Sequence, residues 1–183
     1  MRRGVLALVA AWACAAPAAA AQESRVNDRT EDFIGLIRYQ APPGWDVDSD
    51  TTAPDAYARF RLGEDVIAIR AFGGPGSAYA DQAAFLESPS ARTLGKTPRR
   101  AGQAKVGTAK LPLFRRGYPI RMGDPRRRGA PAGPLADEVF CVLPAGERFL
   151  VLSYARENPA PDPKSGGRKA WEAFLRALRP GRR

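Results

Sequence analysis

The chain has 183 residues, with 29 lysine and arginine residues against 19 aspartate and glutamate residues, a formal net charge of +10 and no histidine. Without imidazole it cannot build a Ser-His-Asp or Cys-His catalytic site, or an ordinary zinc site that contains histidine. Carboxylate pairs or a Ser-Lys arrangement are the chemistries left, and no spacing in the sequence indicates either.

The N-terminus carries the three parts of a secretory signal in the correct order. Arg2 and Arg3 supply the positive charge, residues 5–13 are apolar, and small residues continue to Ala21. A peptidase that accepts small side chains would cut between Ala21 and Gln22, or one residue earlier. The apolar run is shorter than the roughly 20 residues of a membrane span, and no second candidate follows. We therefore expect an exported protein, periplasmic or extracellular.

Two other export signals fit the same segment less well. Cys14 is a candidate lipidation site, but Trp12 suits a lipobox poorly. Arg2 and Arg3 resemble a twin-arginine signal, but that signal requires Ser or Thr before the pair and Phe-Leu after it. The sequence thus predicts a cleaved leader over residues 1–21 and no lipid anchor.

A polar, flexible arm is predicted over residues 22–32, and one α+β domain over residues 33–180. The first strand is expected at residues 33–39. Pro42 and Pro43 end the pairing after this strand, because proline has no N–H to donate. Residues 56–62 and 65–72 predict a hairpin, since the first segment alternates apolar and polar side chains. That alternation places Ala58, Phe60 and Leu62 on one face.

A helix is predicted after the glycine-rich segment 73–76, with Ser77 as its N-cap and Glu87 near its end. A basic connector, residues 92–100, leads to two further strand candidates, 103–110 and 113–121, with Pro112 between them. Pro119 inside the second candidate indicates an edge strand or a bulge.

The last third of the chain has the clearest pattern. An irregular loop, residues 122–134, precedes a hairpin of strands 137–143 and 148–155 with a turn of about four residues. After a loop of proline and glycine, residues 168–178 predict an amphipathic helix. Its apolar stripe consists of Trp171, Phe174, Leu175 and Leu178. Adjacent strands with helices at intervals predict an α+β sandwich: a mainly antiparallel sheet packed against an internal helix and a C-terminal helix.

Several of these segments resemble the Mog1/PsbP-like group, which includes the bacterial periplasmic DcrB-like proteins. The resemblance lies in Pro42-Pro43-Gly44-Trp45, the hairpin 57–72, the late hairpin with Gly146 at its turn, and the closing helix from Trp171 to Leu175. It implies an antiparallel sheet between helices and an accessory or binding role without shared catalytic residues. The arginine-rich segment 122–134 departs from the group's minimal pattern.

Two segments resemble ligand sites, but their residues favour simpler interpretations. Asp46, Asp48 and Asp50 offer carboxylates at alternate positions, yet an EF-hand loop would require Gly at position 51 and Glu at position 57. We expect a solvated acidic turn. Residues 73–76 precede a helix, but they lack the lysine of a P-loop and the Gly-x-Gly-x-x-Gly spacing. We expect a connector, and we predict no cofactor, no metal and no catalytic residue.

Two other features concern Cys141 and the arginine clusters. Cys141 is the one cysteine after the leader and lies among apolar residues, so we expect a buried, unreactive thiol. The arginines form pairs and triplets that suit polyanions. Arg126, Arg127 and Arg128 are the candidate contacts for an anionic partner. Nucleic acid is not expected as that partner, because an export signal is present and aromatic residues are not interleaved with the arginines. The other basic groups are Arg99-Arg100, Arg115-Arg116, Arg179 and Arg182-Arg183.

These observations predict a non-catalytic exported binding or accessory protein. The alternative is a protein that docks on anionic lipid or polysaccharide of the cell envelope through its arginines. For the arginine clusters themselves, the simpler interpretation is a solvated basic surface.

Overall fold

The structure, a computed structural model, describes residues 30–88, 97–119, 135–156 and 166–181. Within these ranges ten strands form two antiparallel sheets, and two helices pack on the larger sheet. The predicted α+β class is confirmed, with a mainly antiparallel sheet packed against an internal and a C-terminal helix. In the same ranges, no helix has the length and apolar character needed to cross a bilayer.

The small sheet contains three strands, and the large sheet contains the other seven described. The small sheet consists of β1 (Thr30–Phe33), β2 (Ile37–Gln40) and β10 (Arg179–Pro180). The large sheet consists of β3 (Asp46–Asp50), β4 (Tyr57–Leu62), β5 (Asp65–Phe72), β6 (Arg99–Val106), β7 (Ala109–Pro119), β8 (Leu135–Ala145) and β9 (Arg148–Arg156). Its spatial order is β3-β4-β5-β9-β8-β7-β6, so β3 and β6 form its two edges among the described strands.

The two helices lie on opposite faces of the large sheet. Helix α2 (Gly167–Ala177) and the small sheet cover one face, where Phe60 and Trp171 are almost fully buried. The short helix α1 (Gln82–Glu87) contributes Phe85 to a second aromatic cluster, on Phe72, Phe140 and Phe149 of the other face. Strand alternation produces both clusters, because successive side chains of one strand point to opposite faces.

The closing helix confirms the predicted amphipathic segment. Its stripe residues are all buried against the sheet, with exposed fractions of 1% for Trp171 and Leu175, 5% for Phe174 and 3% for Leu178. Four large side chains buried at roughly 1.5–3 kcal/mol each stabilise the domain by several kcal/mol. Docking of this stripe therefore sets the position of the whole helix.

A buried carboxylate holds the beginning of α2. Asp65 Oδ1, on β5, accepts a hydrogen bond of 2.7 Å from the Tyr154 hydroxyl. A Cβ at Gly167 would collide with this carboxylate, so the first residue of α2 must be small. The N-cap residue Gly166 makes no side-chain capping bond, and a negative charge beside a helix N-terminus is favourable. Asp65 thus fixes α2 on β5 from another part of the chain.

Both predicted hairpins are confirmed. Strands β4 and β5 pair from Tyr57 opposite Arg70 to Leu62 opposite Asp65, and β8 pairs with β9 along their length. The second turn is shorter than predicted, because the pairing extends to Ala145 opposite Arg148. The prediction that Leu62 shares the buried face of Ala58 and Phe60 is wrong. Leu62 is 50% exposed, because it lies at the end of β4, beyond the core that covers the other two residues.

The predicted first strand is two strands joined by a tight turn. Asp32 Oδ1 accepts a hydrogen bond of 2.5 Å from Gly35 N, and Leu36 N donates to Phe33 O at 3.0 Å. Gly35 has a φ of +72°, which glycine adopts without strain. This turn reverses the chain, so β1 pairs with β2, and residues 30–32 of the predicted arm belong to β1.

The strand boundaries after α1 also differ from the prediction. β6 begins at Arg99 inside the predicted connector, and the turn falls at residues 107–108. Pro112 therefore lies within β7, opposite Gln103, where the predicted break does not occur. The register shifts between Arg100 and Gln103, so a bulge lies in β6. Pro119 is the last residue of β7, which pairs with β6 and β8, so the predicted edge strand or bulge at Pro119 is wrong.

The N-cap of the internal helix is Asp81, not Ser77. Asp81 Oδ1 accepts from Ala84 N at 2.8 Å, and the helix is correspondingly shorter. Ser77 instead donates its hydroxyl to Asp55 at 2.6 Å and accepts from Gly73 N at 2.9 Å. These bonds fold the glycine-rich segment into a connector between β5 and α1. The predicted loop 122–134 lies outside the described residues, and so does the predicted loop 158–167 up to residue 165. Its last residues differ from the prediction, because Gly166 is the N-cap of α2 and Gly167 is the first residue of that helix.

Candidate functional site

A groove lies between helix α2 and the edge strand β6. It encloses about 260 Å³. Its apolar lining consists of Ala104, Leu113, Trp171 and Leu175, and its polar lining of Gln103, Lys105, Arg168, Glu172 and Arg176. We call this the α2–β6 groove. It combines a buried apolar floor with several charged side chains.

Contacts at one end of the groove hold α2 against the β6–β7 turn. Gly107 N, in that turn, donates to Leu175 O at 2.8 Å. Gly107 has a φ of +55°, and a Cβ there would lie 2.9 Å from Leu178 O, so the approach requires glycine. Arg179 Nη1 donates to Arg176 O at 3.2 Å and to Leu178 O at 3.1 Å, which satisfies carbonyls at the helix C-terminus.

The charges of the groove are unbalanced. Arg168 donates to Glu172 at 3.1 Å, one helical turn away, and its guanidinium carbon lies 4.9 Å from the centre of the Trp171 ring. Lys105 and Arg176 have no carboxylate partner among the residues that the structure describes. Arg176 is therefore available to an anion from the α2 side of the groove. Lys105 is available from the other side of β6, because its neighbours Ala104 and Val106 are the residues buried in the core cluster of α2.

The β6–β7 hairpin is positively charged along its whole length. Residues 97–119 contain six lysine and arginine residues and no acidic residue. The register places Lys105 directly opposite Lys110, and Arg99 directly opposite Arg115. Like charges at directly opposed positions destabilise a sheet. Both lysines are exposed, and an anion bound along this hairpin would reduce their repulsion.

The Trp171 indole is the most buried polar group of the groove lining. Trp171 is 1% exposed, and its Nε1–H has no hydrogen-bond partner among the described residues. A buried donor without an acceptor costs about 1–3 kcal/mol. The helix retains this cost because the large indole ring fills the space between α2 and the sheet.

The predicted arginine clusters differ in whether a carboxylate of the described residues pairs with them. Arg115 donates to Asp137 through two bonds of 2.6 and 2.7 Å, and Arg116 donates to Glu138 at 2.5 Å. The hydrogen bond from Arg115 to the Asp137 carboxylate raises the pKa of the guanidinium. Arg99 and Arg100 are exposed. The pair at 115–116 thus has internal partners, whereas the pair at 99–100 lies on the outer strand of the sheet.

Other predicted site residues lie outside the described residues. These are the candidate anion contacts Arg126, Arg127 and Arg128, the cleavage pair Ala21 and Gln22, and the basic pair Arg182 and Arg183. Sequence reasoning did not single out Lys105 and Arg176. The absence of acidic residues from 97–119 could have indicated Lys105 as a cation without a nearby partner. No sequence signal indicates Arg176, because it lies near Lys105 only through the docking of α2.

The acidic residues predicted to form a solvated turn form edge strand β3 instead. Val47 pairs opposite Phe60, so Asp46, Asp48 and Asp50 share the other face of the strand. Asp50 accepts hydrogen bonds from Thr52 Oγ1 at 2.8 Å and Thr52 N at 2.9 Å, and these bonds lower the pKa of its carboxyl group. Asp50 therefore has a structural role at the end of β3. Among the described residues, no acidic or cysteine cluster is placed to hold a metal ion.

Cys141 is fully buried in β8, as predicted, and burial raises the pKa of its thiol to about 12. Because the folded thiol stays protonated while the unfolded thiol ionises from about pH 8.5, the free energy of unfolding should fall as pH rises from about 9 to 12. In a Cys14→Ser background, a thiol reagent at pH 8 should label the protein only after denaturation. A Cys141→Ala variant should lose this contribution to the pH dependence. Rapid labelling of the folded protein would contradict the buried placement.

Comparison with solved structures shows a distant likeness. No family model matches the chain, and no curated protein matches it. A crystal structure at 1.50 Å resolution from Bacteroides thetaiotaomicron is 17% identical, with a TM-score of 0.48, over 84% of this chain and 49% of that one. The chain thus spans about half the length of the structure it matches.

Proposed function

We propose that this protein is a non-catalytic, exported binding module, and that its ligand is anionic and binds in the α2–β6 groove. The observation that carries the proposal is a pair of exposed cations at the groove, Lys105 and Arg176, for which the described residues supply no carboxylate partner. Arg176 lies on α2 and Lys105 on the facing strand β6. The like-charge opposition of Lys105 and Lys110 adds support, because a bound anion would turn an unfavourable arrangement into a favourable one.

Export is the second part of the proposal. It is supported by the leader pattern of residues 1–21, in which positive, apolar and small-residue parts follow one another. A relation to the Mog1/PsbP-like group is supported by the order of elements from β2 to α2, and it agrees with a role in binding. Absence of histidine from the whole sequence supports a non-catalytic role, since the commonest general base is missing.

The groove cations provide the test of the proposal. Binding of tripolyphosphate, polyglutamate, dextran sulfate and vesicles with anionic lipid should be measured by calorimetry at low ionic strength. For the best of these probes, Lys105→Gln and Arg176→Gln should each weaken binding about tenfold, the effect of losing one charge-assisted contact. Binding should also weaken at higher salt, because the screening length is about 10 Å at 0.1 M ionic strength.

Two matched controls separate the groove from general positive charge. Lys169 is exposed on α2 but does not line the groove, so Lys169→Gln removes the same charge from the same helix and should leave affinity unchanged. Replacing Arg126, Arg127 and Arg128 by serine tests the arginine-rich segment. If the triple variant loses binding while Lys105→Gln and Arg176→Gln retain it, the groove is not the site.

A further inference from the structure

Strand β6 is the last strand of the large sheet, beside the groove, and its outer side is unpaired among the residues that the structure describes. The sheet order ends with β6, whose inner side pairs with β7, and no other described strand pairs with it. In an antiparallel strand, half of the backbone N–H and C=O groups point away from the existing partner. The outer side of β6 therefore presents donors and acceptors to another extended chain.

The bulge divides β6 into two parts, and the second part lies along the groove. Two residues, Ala101 and Gly102, stand opposite Leu113 alone, and Gly102 has a φ of +108°. Bulges normally interrupt pairing at a sheet edge. After this one, regular pairing resumes from Gln103 opposite Pro112 to Val106 opposite Ala109. Gln103, Ala104 and Lys105 of this part all line the groove.

Helix α2 supplies the opposite wall with matching length. Arg168, Glu172 and Arg176 line the groove at intervals of four residues. Eight residues of helix rise about 12 Å, which equals the length of about four residues of extended chain. The four-residue part of β6 and the row of charged residues on α2 therefore have about the same length. A chain segment between them would contact backbone on one side and charged side chains on the other.

The groove volume favours part of a polymer over a whole small molecule. At about 260 Å³ it is below the 300–1,000 Å³ of usual small-molecule pockets. Such a space suits one or two side chains of a longer chain. The floor of Leu113, Trp171 and Leu175 is itself buried, so the side chains of a bound segment would lie over it. Side chains of a strand alternate between two sides, so acidic side chains at alternate positions would lie near Lys105, and those between them would face α2 and Arg176.

From these observations we infer that the α2–β6 groove binds an extended acidic segment of another polypeptide, which adds to β6 as a further strand. This inference rests on the proposed function and names its ligand class. Backbone pairing would supply affinity, and Lys105 would select acidic side chains at alternate positions. Polysaccharide and lipid head groups carry the same charge but lack the alternating N–H and C=O groups that an edge strand pairs with.

Backbone N-methylation of the ligand tests this inference without altering the protein. The probe is a capped peptide of about six residues that alternates glutamate and valine, the usual length of a strand. Two derivatives carry N-methyl groups on alternate residues, one in each of the two possible frames. Net charge is the same in all three peptides. The peptide whose methyl groups replace the N–H groups directed at β6 should lose affinity by about tenfold or more. The peptide methylated in the other frame should bind with the affinity of the unmethylated parent.

The outcomes distinguish this inference from the proposed function. Equal binding of both methylated frames and the parent would overturn strand addition, while dependence on Lys105 and Arg176 would still uphold an anionic ligand. Binding of tripolyphosphate, dextran sulfate or anionic vesicles in the groove, without binding of the parent peptide, would also overturn it. If no anion depends on either cation, the proposed function fails together with the inference.

Discussion

Replacing Trp171 by aspartate is expected to unfold the domain. The substitution removes a side chain that is 1% exposed and places a carboxylate in the middle of the apolar stripe of α2. Loss of a buried tryptophan costs about 3–5 kcal/mol, and burial of an unpaired charge adds several more. Because a whole domain is stabilised by only about 5–15 kcal/mol, thermal denaturation should show no cooperative transition for this variant.

Two further variants isolate the cause of that loss. Ala173 is exposed on the same helix, so Ala173→Asp introduces the same charge on the solvent side and should keep the melting temperature within a few degrees. Trp171→Phe retains an aromatic ring and removes the unpaired Nε1–H, so its loss should be much smaller than that of Trp171→Asp. A Trp171→Asp protein with the wild-type melting temperature would refute the docking of α2 on the sheet.

The second large effect is expected at the ion pair between Arg116 and Glu138. Their side chains are only 12% and 10% exposed, and the guanidinium carbon also lies 5.3 Å from the centre of the Phe140 ring. Glu138→Ala leaves the arginine in this place without its carboxylate. Removing one partner of a buried pair costs about 3–5 kcal/mol, so the midpoint of urea unfolding should fall markedly.

A neighbouring ion pair of the same strands provides the control. Arg115 and Asp137 have side chains that are 61% and 52% exposed. Asp137→Ala should therefore cost at most about 1 kcal/mol. Replacing both Arg116 and Glu138 by apolar residues, as Arg116→Met with Glu138→Leu, should recover most of the loss, because no buried charge is left unpaired. Equal losses for Glu138→Ala and Asp137→Ala would contradict the difference in burial.

The basic hairpin also has a purely structural interpretation. Charged side chains on an edge strand prevent two copies of a protein from pairing edge to edge, and lysine is common there. Such protection does not require like charges directly opposite each other, as Lys105 and Lys110 are. Nor does it require a row of charged residues on the facing helix. The two interpretations make different predictions for Lys105→Gln, since lost protection should cause aggregation and a lost ligand contact should lower affinity.

The closing helix and both hairpins followed from local pattern alone. The stripe of α2 repeats at three and four residues, and β4 alternates between buried and half-buried positions, so each pattern is visible within about ten residues. The first strand was less predictable. There Asp32 bonds to Gly35 N and turns the chain inside an apolar run, which hydrophobicity does not reveal.

The candidate site depended on contacts between distant parts of the chain. The carboxylates that pair with Arg115 and Arg116 lie 22 residues further along, so composition alone could not separate these two from the unpaired cations. Lys105 and Arg176 line one groove only because α2 docks beside β6. Periodicity reports which side of an element is buried, which was enough for the fold class. Tertiary packing determines which charges are neutralised and which two elements enclose a groove, because both depend on the spatial order of the strands.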